Sequence, residues 1–164
     1  VYKRQVKGRF NHIVSVELLD SLIQGDLPDF FKVCNRSLKP QGKMVHQVLL
    51  SPESMALDKS KGDWVQKYMT PGTLTPSLSD LIKASNQKSE FNIINMLDMG
   101  QDYCKTFAAW RKKFHDNYEK LEKAGYDESF LRTWDYFLAY AQAANAMGAV
   151  TCAQITMNRL SDLR

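Results

Sequence analysis

Apolar residues change their spacing along this chain, and the changes mark out its elements. Ile13, Val14 and Val16 form a short, nearly continuous β-branched run, the pattern of a strand buried on both faces in a parallel sheet covered by helices. Acidic residues follow at once. Asp26 and Pro28 then stand where a helix N-cap and first turn belong, and Phe30, Phe31, Val33 and Leu38 continue along one helical face. Lys39-Pro40-Gln41-Gly42 is expected to stop that helix, and Lys43 to Leu50 predicts a second buried strand. Strand, crossover helix and strand in this order imply a right-handed parallel unit. His46 and Gln47 interrupt the second apolar run. A buried polar group left unpaired costs about 1–3 kcal/mol, so each needs a partner or a task.

The polar, irregular stretch from Ser51 to Gly62 reads as a mobile loop, and an aromatic segment from Trp64 to Met69 follows it, closed by a turn at Pro71-Gly72. Ser77-Leu78-Ser79-Asp80 has the form of a capping box for a helix carrying Leu81 and Ile82. Phe91 to Met96 predicts a third strand. From Gln101 onward, Tyr103, Phe107, Trp110, Phe114, Tyr118 and Leu121 share one face of a single long helix that Gly125 terminates. Asp127 caps the next helix, with the stripe Phe130, Trp134, Phe137, Ala141 and Ala144, and Val150 to Met157 predicts the last strand. The taper from rings to Ala141, Ala143, Ala144, Ala146 and Gly148 either leaves a channel for a long apolar ligand or lets the helix pack close to the sheet.

Composition narrows the class. The chain has 164 residues, 44% of them hydrophobic and 11% aromatic, which suits one globular domain or a large piece of one. No apolar run approaches the roughly 18 residues of a bilayer span. The opening Val1-Tyr2-Lys3-Arg4-Gln5 has neither an apolar signal region nor an initiator Met, so the chain is expected to begin inside a larger protein. Cys34, Cys104 and Cys152 are odd in number and widely spaced, which fits reduced thiols in a cytoplasmic protein, and His12, His46 and His115 show no metal-ligand spacing. The net charge of +4 is uneven, with Lys3, Arg4, Lys7 and Arg9 at the start and Arg111, Lys112, Lys113, Lys120 and Lys123 on one later helix. Such a flank is either a solvated face or a contact for anionic phospholipid head groups. Nucleic acid is disfavoured, because no aromatic-interleaved basic stripe or reading helix is present. Asp20 follows the first strand, where open α/β sheets bind their ligands; it is either a residue of the chemistry or a solvated helix start.

Several ordered groups of residues carry a family pattern. Phe10-Asn11-His12-Ile13-Val14-Ser15-Val16 is followed four residues later by the carboxylate of Asp20. Leu38-Lys39-Pro40-x-Gly42 precedes the second strand, and Trp64, Lys67-Tyr68, Pro71 and Pro76-Ser77 come after it. Asp102-Tyr103, Thr106 and Ala109-Trp110 mark the long helix, and Trp134, Tyr136, Leu138, Tyr140 and Gln154 the closing helix and strand. Taken in register over nearly the whole chain, the set resembles the C-terminal half of the cyclopropane-fatty-acyl-phospholipid synthases, a family of class I S-adenosylmethionine-dependent methyltransferases.

The resemblance implies an α/β fold: the C-terminal half of a class I, Rossmann-like methyltransferase, with a parallel sheet, inserted long helices, and an antiparallel last strand lying between its two predecessors. Residues 1–164 are then the C-terminal portion of one methyltransferase domain, without its N-terminal cofactor-loop half. The implied reaction adds a methylene or methyl group from S-adenosylmethionine to the cis double bond of phospholipid acyl chains, with bicarbonate as the base. Carried over by position, bicarbonate falls to Asp20, Gln47, the Leu49 amide and Tyr103, and cofactor contact to Val16. The matched aromatic residues Trp64, Tyr68, Trp110, Trp134 and Tyr140 are the implied lining of an acyl channel. The implied setting is cytoplasmic, peripheral to a membrane, with phospholipid as partner, no nucleic acid and room for a homodimer. The chain departs from the pattern in having Asp20 where the family usually has Glu, Gln47 for the commoner His, and Ala144-Asn145-Ala146 for a Gly-Phe-Arg segment. It contains no Gly-x-Gly, so this portion alone is expected to be inactive. A small-molecule N-methyltransferase of similar fold and a non-catalytic lipid-binding remnant are the alternatives.

Overall fold

The structure, a computed structural model, describes residues 6–19, 22, 24–55, 64–73 and 75–160. The chain divides into two compact units, Val1–Asp98 with Cys152–Arg164, and Met99–Thr151. The first unit holds a four-stranded sheet of β1 (Phe10–Val16), β2 (Leu38–Leu50), β3 (Phe91–Asp98) and β4 (Thr151–Arg159), in the order β1-β2-β4-β3. β1 and β2 run parallel, with Ile13 opposite Met44 and Val16 opposite Gln47, and β3 and β4 run antiparallel, with Phe91 opposite Arg159 and Asp98 opposite Ala153. The Arg159 guanidinium donates to the Leu38 carbonyl at 2.7 Å, while Gln154 meets Gln47 further along at 3.0 Å, so β4 opposes β2 as well. The last strand therefore lies between β2 and β3, as the resemblance implies.

Helix α1 (Leu27–Ser37) links the two parallel strands. Leu27, Phe31 and Cys34 are buried along one face and Pro28 sits in the first turn, where its missing N–H leaves no bond unmade. Asp26 does not serve as the expected side-chain cap; its own backbone is already helical. The helix ends at Ser37, and β2 begins directly at Leu38, five residues earlier than expected. Lys39-Pro40-Gln41-Gly42 is thus a bulge within the strand rather than a loop before it: the pairing jumps from Phe10–Leu38 to His12–Lys43, and Gln41 takes φ +61°. A Cβ on Gly42 would come within 2.7 Å of the Leu38 side chain and 2.8 Å of the Lys39 carbonyl, so only glycine fits.

The core lies on one side of the sheet. Met44, Val48 and Leu50 of β2 and Ala153, Ile155 and Met157 of β4 cluster with Leu27 and Phe31 of α1 and with Leu81 and Ala84 of α3 (Leu78–Lys88). Burying each large side chain there contributes about 1.5–3 kcal/mol. The capping box of α3 forms in both directions: Ser77 Oγ accepts from the Asp80 amide, and Asp80 accepts from the Ser77 amide. The Glu53 carboxylate adds to it, accepting from the Ser79 amide at 2.7 Å and hydroxyl at 2.8 Å, and these bonds hold its pKa below the usual range. On the other side of the sheet Val14 and Val16 are 71% and 63% exposed, so β1, an edge strand here, is covered on one face and not on both. Of the stretch expected as a loop, residues 56–63 lie outside the described residues.

The second unit consists of helices. The expected single helix is two, α4 (Gly100–Asp116) and α5 (Tyr118–Lys123), parted at Asn117. The Asn117 amide side chain donates back to the Lys113 carbonyl at 2.8 Å, competing with the helical bonds of the backbone. Gly125, at φ +96°, follows the second piece, and Asp127 caps α6 (Glu128–Ala146) by accepting from the Phe130 amide at 2.7 Å. The buried stripe of α6 is Leu131, Leu138 and Asn145, turned from the expected aromatic stripe; Phe130 and Trp134 remain 44% and 37% exposed, with rings stacked on each other. Between α4 and α6, Phe107 meets Phe137 edge-on, and Arg111 grips Asp135 with two bonds, Nε at 2.7 Å and Nη2 at 3.1 Å.

Candidate active site

The carboxyl ends of β1 and β2 bring together polar groups that the strand register selects. Side chains alternate along β2, so Gln47 faces the side opposite the core, next to Val16 of β1. At the end of β1 the chain bends: Glu17 takes φ +51°, and its N–H donates to the Gln47 carbonyl at 2.8 Å. This turn sets the Glu17 carboxylate against the Gln47 amide, whose Nε2 donates to Glu17 Oε1 at 2.9 Å. From β4, Gln154 Nε2 donates to Gln47 Oε1 at 3.0 Å. A carboxylate only accepts hydrogen bonds, so Gln47 must present its NH2 to Glu17 and its carbonyl to Gln154, and both ends of the amide are oriented. The arrangement offers a fixed donor and a carboxylate on the ligand-binding edge of an open sheet.

His46, the other polar exception in β2, belongs to the opposite side. It is 1% exposed, with its ring edge-on to Phe30 and Phe31 at centroid distances of 5.4 and 5.9 Å, and neither ring nitrogen has a partner among the described residues. Burial pushes its pKa down to about 4, so it is a neutral core residue.

The residues expected to share the site are distributed over both units. Gln47 and the half-buried Leu49 lie on β2, and Val16 ends β1. Asp20 lies outside the described residues. Tyr103 is in the first turn of α4, in the second unit, half-buried with its ring against Phe107. Trp64 and Tyr68 pack together in α2 (Trp64–Tyr68) of the first unit, with Lys67 Nζ 4.9 Å from the Tyr68 ring centre. Trp110, Trp134 and Tyr140 belong to the helical unit, with Trp110 54% exposed and Tyr140 beside Tyr136.

Two groups escaped the sequence reading. Glu17 is one, and its signal in the sequence is a charged residue placed directly at a strand end, next to the more prominent Asp20. The other is on the helices, where Asp135 accepts from Arg111 and meets His115 Nε2 at 2.6 Å. The Arg111 bonds, then the His115 contact, hold the Asp135 carboxyl below its ordinary pKa, and the group staples α4 to α6. Only the one-turn spacing of Arg111 and His115 hints at it in the sequence.

Comparison with known proteins agrees with this architecture. The family model described as mycolic acid cyclopropane synthetase matches residues 2–155. The chain is 29% identical over 157 residues to the tuberculostearic acid methyltransferase UfaA1 of Mycobacterium tuberculosis, covering 95% of this chain and 37% of that protein. It is 25% identical over 156 residues to the cyclopropane-fatty-acyl-phospholipid synthase of Escherichia coli K12, covering 95% and 39%. The chain thus spans less than two fifths of the length of either relative. The solved mycolic acid cyclopropane synthase CmaA1, in complex with SAH and CTAB, superposes with a TM-score of 0.84 at 15% identity, covering 96% of this chain and 58% of the other.

Proposed function

Because the chain belongs to the mycolic acid cyclopropane synthetase family, we propose that the protein carrying it transfers a one-carbon unit from S-adenosylmethionine to the cis double bond of a phospholipid acyl chain. The observation that carries the reading is the Gln47 amide, held at both ends and presented at the carboxyl edge of β1 and β2. Two relatives named for fatty-acyl substrates, one a methyltransferase and one a cyclopropane synthase, support the substrate class.

The residues present fit one wall of a cofactor site. Val16, 63% exposed at the end of β1, offers an apolar contact, and the 164 residues contain no glycine-rich phosphate or methionine loop of the Gly-x-Gly kind. When bound, S-adenosylmethionine supplies an electrophilic methyl group. The work left to this chain is to hold the alkene and to accept a proton. The resemblance gives the proton to a bicarbonate held by Asp20, Gln47, the Leu49 amide and Tyr103. Gln47 fits that task as a donor, and its donor already faces the Glu17 carboxylate. Among the described residues no helix is long and apolar enough to cross a membrane. The stacked rings of Tyr126, Phe130 and Trp134, each at least one third exposed, suit contact with a lipid surface.

The test uses the intact protein, methyl-labelled S-adenosylmethionine and vesicles of monounsaturated phospholipid, with the lipid product read by mass. A gain of one CH2 per acyl chain is expected, with fragmentation separating a ring from a methyl branch. Tyr103→Phe is expected to lower turnover about 10²-fold, the scale of one proton-handling contact, and Asp20→Glu to leave it equal or higher. Label entering a soluble amine instead of lipid would replace this reading with an N-methyltransferase. No transfer at all would replace it with a lipid-binding remnant.

A further inference from the structure

Resting on the proposed reaction, we propose that Gln154 is a positioning residue for it: by donating to Gln47 Oε1 at 3.0 Å, it fixes the plane in which the Gln47 amide meets the bicarbonate base. Gln154 acts through Gln47 alone.

The need for such a residue follows from the chemistry of an amide. Its oxygen and its NH2 are close in size and opposite in polarity, so a glutamine turned over about its last torsion presents an acceptor where an anion needs a donor. Gln47 also has one more side-chain torsion to fix than the histidine that the family pattern more commonly has there. Glu17 settles the polarity. A carboxylate only accepts, so the 2.9 Å bond from Gln47 Nε2 to Glu17 Oε1 turns the NH2 towards the carboxyl end of β1. One hydrogen bond alone lets an amide swing about it. The bond from Gln154 holds the opposite end, and contacts at both ends of a planar group fix its plane. An NH2 carries two N–H donors, so bonds to Glu17 and to an anion are compatible on the one group.

The fold delivers Gln154 ready-placed. Because β4 runs between β2 and β3, a residue 107 positions away in sequence becomes a neighbour of Gln47 across the sheet. Ala153 and Ile155, on either side of Gln154, are buried in the core, which anchors the strand and leaves the Gln154 side chain on the face that Gln47 uses. Both glutamines are half-buried and both stand on strands. Support from rigid elements is what holds a ligand-binding group within the narrow tolerance that catalysis requires.

The experiment compares the intact protein with Q154L, Q154M, Q47L and the double variant Q47L/Q154L. Binding of 13C-labelled bicarbonate is followed by NMR, and folding by thermal unfolding. Turnover on monounsaturated phospholipid vesicles is measured from CO2-free buffer up to saturating bicarbonate. Q154L and Q154M are expected to weaken bicarbonate binding about fivefold, the scale of one hydrogen bond, and to need about fivefold more bicarbonate for half-maximal turnover. Turnover at saturating bicarbonate is expected to stay within about twofold of the wild type, with the KM for S-adenosylmethionine unchanged. The double variant is expected to bind bicarbonate no more weakly than Q47L, because a residue that acts through Gln47 has nothing left to act on. Undiminished bicarbonate binding in a folded Q154L or Q154M, an equal fall in turnover at every bicarbonate concentration, a further loss in the double variant, or failure of both single variants to fold overturns the role of Gln154 and leaves the proposed reaction standing. Full wild-type turnover in CO2-free buffer overturns the role together with the bicarbonate base. Lipid product absent from the wild type at every bicarbonate concentration overturns the reaction itself, and the role with it.

Discussion

His46 and Gln47 are consecutive residues on β2, and they face opposite sides of the sheet. On the His46 side the helices α1 and α3 close over Met44, Val48, Ile155 and Met157, and an imidazole is kept neutral between two phenylalanine rings. On the Gln47 side Val14 and Val16 are mostly exposed, and polar groups are bonded to each other in a row, Gln154 to Gln47 to Glu17. The difference shows how one strand serves two purposes. The covered face accepts even a costly polar group because packing around it stabilises the whole, whereas the other face keeps its hydrogen-bonding groups oriented by one another. A polar residue in a buried strand is therefore informative only once its face is known.

The sharpest way to break the contrast is to place a charge on the covered face. Val48 is fully buried, so Val48→Asp leaves an unpaired carboxylate in the core and is expected to destabilise by roughly 4 kcal/mol or more, seen as loss of the thermal unfolding transition.

Acid should attack the same face next. The folded-state pKa of His46 is lowered from 6.5 to about 4, so the folded state favours the neutral ring. Its contribution is fully present above the unfolded pKa and is lost as pH falls from 6.5 towards 4, on the order of 3 kcal/mol in total. Melting temperature measured across that window should fall, and His46→Phe should flatten the His46 part of the slope. An unchanged slope would show that the imidazole is not what the acid reaches.

Smaller effects belong to the other face. Gln154→Leu removes the donor to Gln47 Oε1 and should cost about 1 kcal/mol in unfolding free energy, measured by denaturant titration. Val14→Thr, at a position 71% exposed, should stay within about 0.5 kcal/mol of the parent chain. A larger loss there would mean that the valine is covered in the protein under test.

Local signals in the sequence determined the strand and helix types, the capping box at Ser77, the Asp127 cap, and, through the ordered family pattern, the place of the last strand within the sheet. The elements and caps are legible because each depends on residues a few positions apart, whereas the strand's place rested on the resemblance over nearly the whole chain. Tertiary structure alone decided the faces and the site. Alternation shows that His46 and Gln47 point apart but not which side the helices cover, and Lys39-Pro40-Gln41-Gly42 looks like a helix stop until its pairing with β1 makes it a bulge. Helical periodicity likewise placed an aromatic stripe on α6 about one residue away from the side that is buried, because exposed stacked rings satisfy the same spacing. The bonds of the site join residues 30 and 107 positions apart, and such distances are closed by strand register, which no local pattern encodes.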